Sequence, residues 1–376
     1  MRTLGIEEEL LVVEADSGRP TAASERVIRR APWRLSQAGG NDTQRADDEP
    51  GGHVGHELQQ EQLEIDTPPR THLADLEQDL HAWRKAAGEA AAEQGTRIVA
   101  AGTSPLQVEP RLTPDERYER MVERFGLTAK QQLTCGCHVH VSVESDEEGV
   151  AVLDRIRRWL PPLLAISANS PFWQGEDSGY ASFRSQAWLR WPSAGPVDVL
   201  GSAERYHRLV EELLGSGVVL DEGMVYFDAR LSAHYPTVEL RVTDVCLDPR
   251  DAVLVAALAR ALVETAARAW QEGEPPAAVP TSLLRLAMWR AGHDGVDGEL
   301  LDPRTGRPRP ADEVLAALLD HARPALEAAG DLDEATSRLA ELLRRGNGAR
   351  RQRQVHARTG SLHDVVADLA VATVAG

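Results

Sequence analysis

The chain has 376 residues, 42% of them hydrophobic, enough to bury a sizeable core as one large domain or two closely packed ones, which argues against a disordered chain. Its 41 Lys and Arg against 59 Asp and Glu give a formal net charge of −18. That balance argues against general binding to nucleic acid or a membrane surface, and an anionic nucleotide would need metal ions beside it.

Residues 3–13 alternate and end β-branched, predicting a strand, and Asp16-Ser-Gly-Arg-Pro20 supplies a turn. Glu7, Glu8 and Glu9 stand where a signal peptide would need an apolar run, so no export is expected. Residues 38–55 are rich in Gly, Asp, Asn and Pro without period and read as a mobile surface segment or lid. A polar strand or irregular stretch over 57–66 stops at Thr67-Pro-Pro69, a helix follows over 73–94, and 97–101 reads as a short buried strand. Next come a helix over 115–125, a strand over 134–143, a helix over 149–169 broken near Pro161-Pro162, and a helix over 203–214. Strict alternation over 224–232 and 236–244, with Ser-Ala-His-Tyr between, predicts a hairpin. From Arg250 onward every periodic segment is helical: 282–291, 311–329, 332–345 and 362–374.

The most apolar window, 252–270, carries Arg260, Glu264 and Arg268 four residues apart, which is the charged face of a helix in water rather than a membrane span. Cys135, Cys137 and Cys246 make neither a disulfide framework nor a four-ligand zinc site, so a reduced cytoplasm is the expected compartment.

Residues two apart on a strand share a face, which separates candidate chemistry from core. Glu7 and Glu9 share one face of the first strand, and Ile6, Glu8 and Leu10 the other. Two carboxylates side by side repel unless a cation lies between them. In Cys135-Gly-Cys-His-Val-His-Val-Ser-Val143, the valines face one way and His138, His140 and Ser142 the other. Asp228 with Arg230, and Glu239 with Arg241, repeat the design in the late hairpin. A solvated sheet face would mix Lys, Thr and Ser with Glu; here the polar positions are almost all Glu, Asp, His and Arg, which bind metals and phosphates. Carboxylates with an occasional imidazole suit Mg²⁺, or Mn²⁺. Glu57, Glu61 and Glu64 do not fix their own register: a straight strand turns Glu64 away from the other two, while helical spacing or a bulge aligns them. The turn-rich stretch 169–180, with Asn169, Trp173 and Tyr180, leads to Arg184 and Trp188 and reads as a substrate-binding loop or a connector. The basic run 344–353, with Arg351 and Arg353, is open between a phosphate contact and a solvated helix end or interface.

Gly-Ile-Glu-Glu-Glu-Leu (5–10), Glu-Leu-Gln-Gln-Glu-Gln-Leu-Glu-Ile (57–65), Gly-Cys-His-Val-His-Val (136–141), Ala-Asn-Ser-Pro-Phe-Trp (168–173), Gly-Tyr-Ala-Ser-Phe-Arg (179–184) and Pro-Thr-Val-Glu-Leu-Arg-Val-Thr-Asp (236–244) occur in this order along the chain. As a set they resemble the glutamate–cysteine ligase type 2 family, and within it the bacterial carboxylate–amine ligases. The resemblance spans nearly the whole chain, Arg-Gln-Arg (351–353) included. It implies an α+β, glutamine-synthetase-like fold: a curved, largely antiparallel sheet forming a funnel, with helices outside. One catalytic domain over 1–376 is implied, strand-rich over 1–245 and mainly helical over 246–376. The family's metal positions fall on Glu7, Glu9, Glu57, Glu64, His138 and Glu239, with Arg241 beside the transferred phosphate, helped by Arg184. The implied partners are ATP, glutamate or a related carboxylate, and an amine such as cysteine; a homo-oligomer is compatible with all of this. The expected reaction passes ATP's γ-phosphoryl group to the carboxylate, and an amine attacks the acyl phosphate. Phosphoryl transfer to a guanidino group, ligation of a protein-borne glutamate and metal-dependent hydrolysis are the rival readings. No motif specifies cysteine as the acceptor.

Overall fold

A computed structural model describes residues 1–30 and 51–375. Residues 38–50 of the expected lid lie outside the described residues; Val54 and Gly55, also assigned to that segment, begin a short strand instead.

The main sheet has seven strands: β1 (Leu4–Glu14), β2 (Val54–His56), β3 (Gln62–Asp66), β4 (Thr96–Val99), β5 (Gly136–Ser142), and, beyond a small pair β6 (Phe172–Trp173) and β7 (Glu176–Asp177), β8 (Ala229–Leu231) and β9 (Thr237–Asp244). Their order is β2-β3-β1-β5-β9-β8, every pairing antiparallel, with β4 against the second half of β1. The strand order does not close on itself, so the sheet is open. β1 can serve as the hub because its eleven residues are long enough to pair with β3, β4 and β5 along different stretches.

The apolar face of this sheet carries Leu4, Ile6 and Leu10 from β1, Val139 and Val141 from β5, and Val238 and Leu240 from β9, all at most 1% exposed. Helix Pro249–Gln271 lies against β1 and β5 on this side. Asp248 caps that helix by accepting from the Arg250 amide at 2.9 Å, and Pro249 fills its first turn, where a missing N–H costs nothing. Helices Leu73–Ala92, Asp146–Ile156 and Ala311–Ala329 pack around it. Among the described residues no helix is long and apolar enough to cross a membrane.

Most sequence-derived boundaries hold within a few residues. The helix expected over 149–169 starts earlier, at Asp146, and is divided by a 3₁₀ turn over Arg157–Trp159; Pro161 therefore sits in the first turn of the next helix, Leu160–Ser167, rather than inside one. The all-helical reading of the C-terminal part missed a two-stranded hairpin, β10 (Glu299–Leu301) with β11 (Pro308–Pro310), whose prolines conceal it from a strand pattern. The basic run opens a helix, Gly348–Thr359, capped by the Asn347 side chain.

Candidate active site

The opposite face of the sheet is built by register. Glu9 stands across from Glu64, Glu7 across from both Asp66 and His138, and Glu239 across from both His140 and Arg230. A bulge in β5–β9 pairs Cys137 with Thr243 but Val139 with Leu240, so that Arg241 and Val242 together oppose His138. The polar residues of five strands thus form one continuous strip.

Glu57 and Glu64 join this strip because the chain turns through residues 58–61 before entering β3, so neither a straight strand nor a helix describes 57–66. Glu61 leaves the strip: it is buried and accepts from the Arg111 amide at 2.9 Å. Glu8 points into the apolar side, 0% exposed, and is held bidentately by Arg84 at 2.6 and 2.8 Å.

Ligand atoms of Glu9, Glu57 and Glu64 lie within 4.8 Å of one another, as do those of Glu7, His140 and Glu239, and of Glu7, Glu64 and Asp66. Burial, and then the neighbouring Glu9 charge, push the Glu57 carboxyl up to about 7. Burial, followed by Glu57 and Glu7, pushes Glu64 well above the usual carboxylate range. Three crowded carboxylates of this kind call for a cation. Glu7 behaves oppositely: burial would raise it, but the His140 and His138 rings beside it hold it well below the ordinary range. Glu239 is likewise held down to about 2: burial opposes the shift, and the Arg241 and Arg230 charges produce it. Nε2 of His138 is buried without a hydrogen-bond partner, while Nε2 of His140 lies 2.9 Å from a Glu7 oxygen. An orphaned imidazole nitrogen among hard carboxylate oxygens fits a divalent cation of the Mg²⁺ or Mn²⁺ kind.

Of the metal positions implied by resemblance, Glu9, Glu57 and Glu64 form one group and Glu7 and Glu239 belong to another; His138 lies beside both Glu7 (3.3 Å) and Glu239 (3.9 Å). His140 and Asp66 complete groups and were not assigned from sequence. Asp66 was legible: it lies two residues from Glu64 on one strand.

A cavity of about 220 Å³ opens on this strip, lined by Glu7, Glu9, Glu57, Glu64, His138 and Arg241, and walled by Arg117, Tyr118, Trp188, Trp191, Tyr226 and Arg230. Arg241 pairs with Glu239 and sits 5.9 Å from the ring centres of both Trp188 and Tyr226. Its Nε has no partner. Arg184 is buried beneath Gly136, where an added Cβ would collide with the guanidinium and reach within 3.1 Å of His138 Nε2. It stacks 5.5 Å from Trp188. The aromatic wall carries no spacing signal, since its members come from three separate segments.

The other expected site residues lie elsewhere. Asn169 is fully buried, donating to the carbonyls of Ala100 and Val245 at 2.9 Å and accepting from Gln352 at 2.7 Å. Trp173 packs on Phe183 and Arg190, and Tyr180 on Trp289 and His293. Arg351 pairs with Asp368 at 2.7 Å, and Arg353 with Asp177 at 2.7 Å. None of these five lines the acidic cavity.

The fold matches solved ligases. Over 99% of this chain and 52% of its own length, a bifunctional glutathione synthetase from Pasteurella multocida superposes with a TM-score of 0.69 at 17% identity, so the chain spans about half of that protein. The glutamate–cysteine ligase of Francisella tularensis, solved with AMP, gives 0.68 at 12% identity over 100% of this chain and 89% of its own. The ligase PafA, solved with the ubiquitin-like protein Pup, gives 0.53 at 14% identity over 99% and 72%. At 12–17% identity this likeness shows the fold: an α+β chain with a large, open antiparallel sheet, shared with these solved ligases.

Residues 3–368 match the model of glutamate-cysteine ligase family 2, and the chain belongs to that family. A protein of Streptomyces coelicolor named "Putative glutamate--cysteine ligase 2" is 53% identical over 367 residues, 98% of each chain. A Paenarthrobacter aurescens relative, "Putative glutamate--cysteine ligase 2-1", is 48% identical over 99% of this chain and 95% of its own.

Proposed function

We propose that the protein joins the γ-carboxylate of glutamate to an amine through a γ-glutamyl phosphate made from ATP, with cysteine a slow acceptor. The observation that carries this reading is the group formed by Glu9, Glu57 and Glu64, three carboxylates within 4.8 Å, opening on the same cavity as Arg241. These three, with Glu7, His138, His140 and Glu239, would hold Mg²⁺ or Mn²⁺. Bound there, the cations supply charge neutralisation for the phosphate oxygens.

The chain's own residues do the rest. Arg241, buried between Trp188 and Tyr226, offers a fixed guanidinium to the charge that develops as the phosphoryl group moves. Its aromatic neighbours and Glu239 prevent it from turning away. Arg184 supports this arrangement from below through Trp188. No side chain is needed as a nucleophile: burial pushes the Cys135, Cys137 and Cys246 thiols up, keeping them protonated.

The test is ADP release by the purified chain with ATP, Mg²⁺, glutamate and a panel of amines including cysteine, with product analysis. A γ-glutamyl amide formed one-for-one with ADP is expected, and a phosphoguanidine or ATP-independent hydrolysis would overturn the reaction. Full ligation by a Glu239→Gln variant would overturn the site.

A further inference from the structure

A second cavity, of about 280 Å³, lies behind the aromatic wall of the acidic one and shares Trp188, Trp191 and Arg241 with it. Its other walls come from the remainder of the segment 184–196, the residues just before β8, and helix Thr281–Asp294, which contributes Arg285, Met288 and Trp289. Asp228 is its one carboxylate. The Asp228 backbone is fully engaged, its amide donating to the Gly195 carbonyl and its own carbonyl accepting from the Arg241 amide, whereas no hydrogen bond ties the carboxylate to another described residue. Arg285, on the same wall, makes no hydrogen bond or ion pair with any described residue. The cavity's remaining guanidiniums are occupied: Arg184 faces Asp244, Arg241 holds Glu239, and Arg190 donates to the Ala187 carbonyl.

Other cavities lack this combination. The cleft beside Arg2 and Arg260 has its cations already paired with Glu148, Glu264 and Asp331. The slot beside His140 and Tyr235 holds Glu7 and Asp66 but no guanidinium. In the groove beside Tyr206 and His234, Arg230 is committed to Glu239. Among these cavities, only the one with Asp228 and Arg285 presents a carboxylate and a guanidinium that carry no hydrogen bond or ion pair with a described residue, set against an apolar wall. Leu189 and Trp289 at its rim are 48% and 41% exposed. Trp289 is fixed by donating its indole N–H to the Tyr180 hydroxyl at 3.2 Å, and Arg190 by packing on Trp173. The loop expected to bind substrate thus buttresses this cavity from outside.

We propose that this cavity is the acceptor subsite, and that it takes a zwitterionic amino acid with an apolar side chain larger than that of cysteine. The ammonium lies at Asp228, the carboxylate at Arg285, and the side chain against Trp188, Met288 and Trp289. The inference rests on the ligase reading above. In the amide-forming step the Asp228 carboxylate accepts one ammonium proton. The freed nitrogen attacks the acyl carbon, a C–N bond forms, the C–O bond to phosphate breaks, and the second nitrogen proton leaves with inorganic phosphate. Burial, opposed by the Arg285 charge, pushes the Asp228 carboxyl up to about 7, which suits a group that must take up a proton near neutrality.

The experiment uses the full chain with ATP, Mg²⁺ and glutamate, and compares L-phenylalanine, L-leucine and L-cysteine with phenethylamine, which lacks the carboxylate, and 3-phenylpropionate, which lacks the amine. Phenylalanine or leucine should exceed cysteine in kcat/KM at least tenfold. Asp228→Asn should lower kcat/KM for the amine about 100-fold or more while the Kd for ATP stays within twofold. The exposed Arg285→Met change should raise KM for phenylalanine about tenfold but leave phenethylamine unaffected. Titration of tryptophan fluorescence with phenylalanine reads the cavity without turnover. Saturable quenching by phenylalanine that Arg285→Met weakens supports the subsite even if glutamate proves to be the wrong donor. Cysteine preferred over both larger amino acids, or equal behaviour of Arg285→Met toward phenylalanine and phenethylamine, overturns it.

Discussion

Three consecutive glutamates divide between two jobs, and substitution should separate them by sign. Glu8 and Arg84 are 0% and 1% exposed, and Arg84 also donates to the carbonyls of Cys246 and Leu247 at 2.7 and 2.8 Å. Glu8→Gln removes the charge that compensates a buried guanidinium while changing almost no volume. Breaking such a pair from one side costs about 3–5 kcal/mol. For 376 residues an unfolding entropy near 2.1 cal/mol/K per residue converts this to a fall of about 4–6 °C in Tm. Glu9→Gln acts in the opposite direction in metal-free protein, because it relieves the crowding with Glu57 and Glu64; Tm should hold or rise. The same change should remove the stabilisation by Mg²⁺, which reaches about 2.7 kcal/mol when the ion is at 100 times its Kd. Differential scanning fluorimetry with EDTA and with Mg²⁺ gives all four values. If Glu8→Gln melts with the wild type, or Glu9→Gln loses as much metal-free stability as Glu8→Gln, the division of the trio is wrong.

Gly136→Ala should cut kcat/KM at least tenfold with little loss of secondary structure by circular dichroism, because the added methyl displaces the Arg184 guanidinium and crowds His138. Arg241→Lys keeps the charge but loses the planar group held between Trp188 and Tyr226; a fall in kcat of about 100-fold is expected in steady-state ADP release. His321 stacks on Trp159 at 4.3 Å, and burial lowers its pKa from 6.5 to about 4. The folded state therefore favours the neutral ring, so this contribution is complete above pH 6.5 and is lost as pH falls from 6.5 toward 4. With the ring's solvent-facing edge screened by water, the loss at pH 4.5 comes to about 1–2 kcal/mol. Urea unfolding of the wild type and of His321→Phe at pH 7 and 4.5 should show that much less acid destabilisation in the variant.

Alternation alone picked out much of the polar strip, because period two is a local property: Glu7 with Glu9, His138 with His140, and Glu239 with Arg241 all emerge on the polar side of their strands. What alternation does not contain is the turn before a strand. Glu57 and Glu64 meet only because residues 58–61 reverse the chain, and the same turn sends Glu61 to the Arg111 amide. Resemblance carried that pair where geometry left it open. The aromatic wall was out of reach for a different reason. Trp188, Trp191 and Tyr226 come from segments that meet through packing rather than through any strand register, so no periodicity marks them.

Asp228 shows where the two kinds of information meet. Its alternation with Arg230 was visible, and on a flat sheet both would join the polar strip. Arg230 does so, reaching Glu239 at 2.7 Å. Asp228 instead precedes the short strand β8 at the edge of the sheet, where helix Thr281–Asp294 brings Arg285 and Trp289 to the cavity it lines. An edge position frees a side chain from the sheet's own chemistry and lets a neighbouring helix decide what it faces. The same two-residue spacing therefore places one charge on the acidic side of the aromatic wall and the other on the far side, with Arg241 and Trp188 forming the boundary across which, on the proposed reading, an acyl phosphate and an amine would meet.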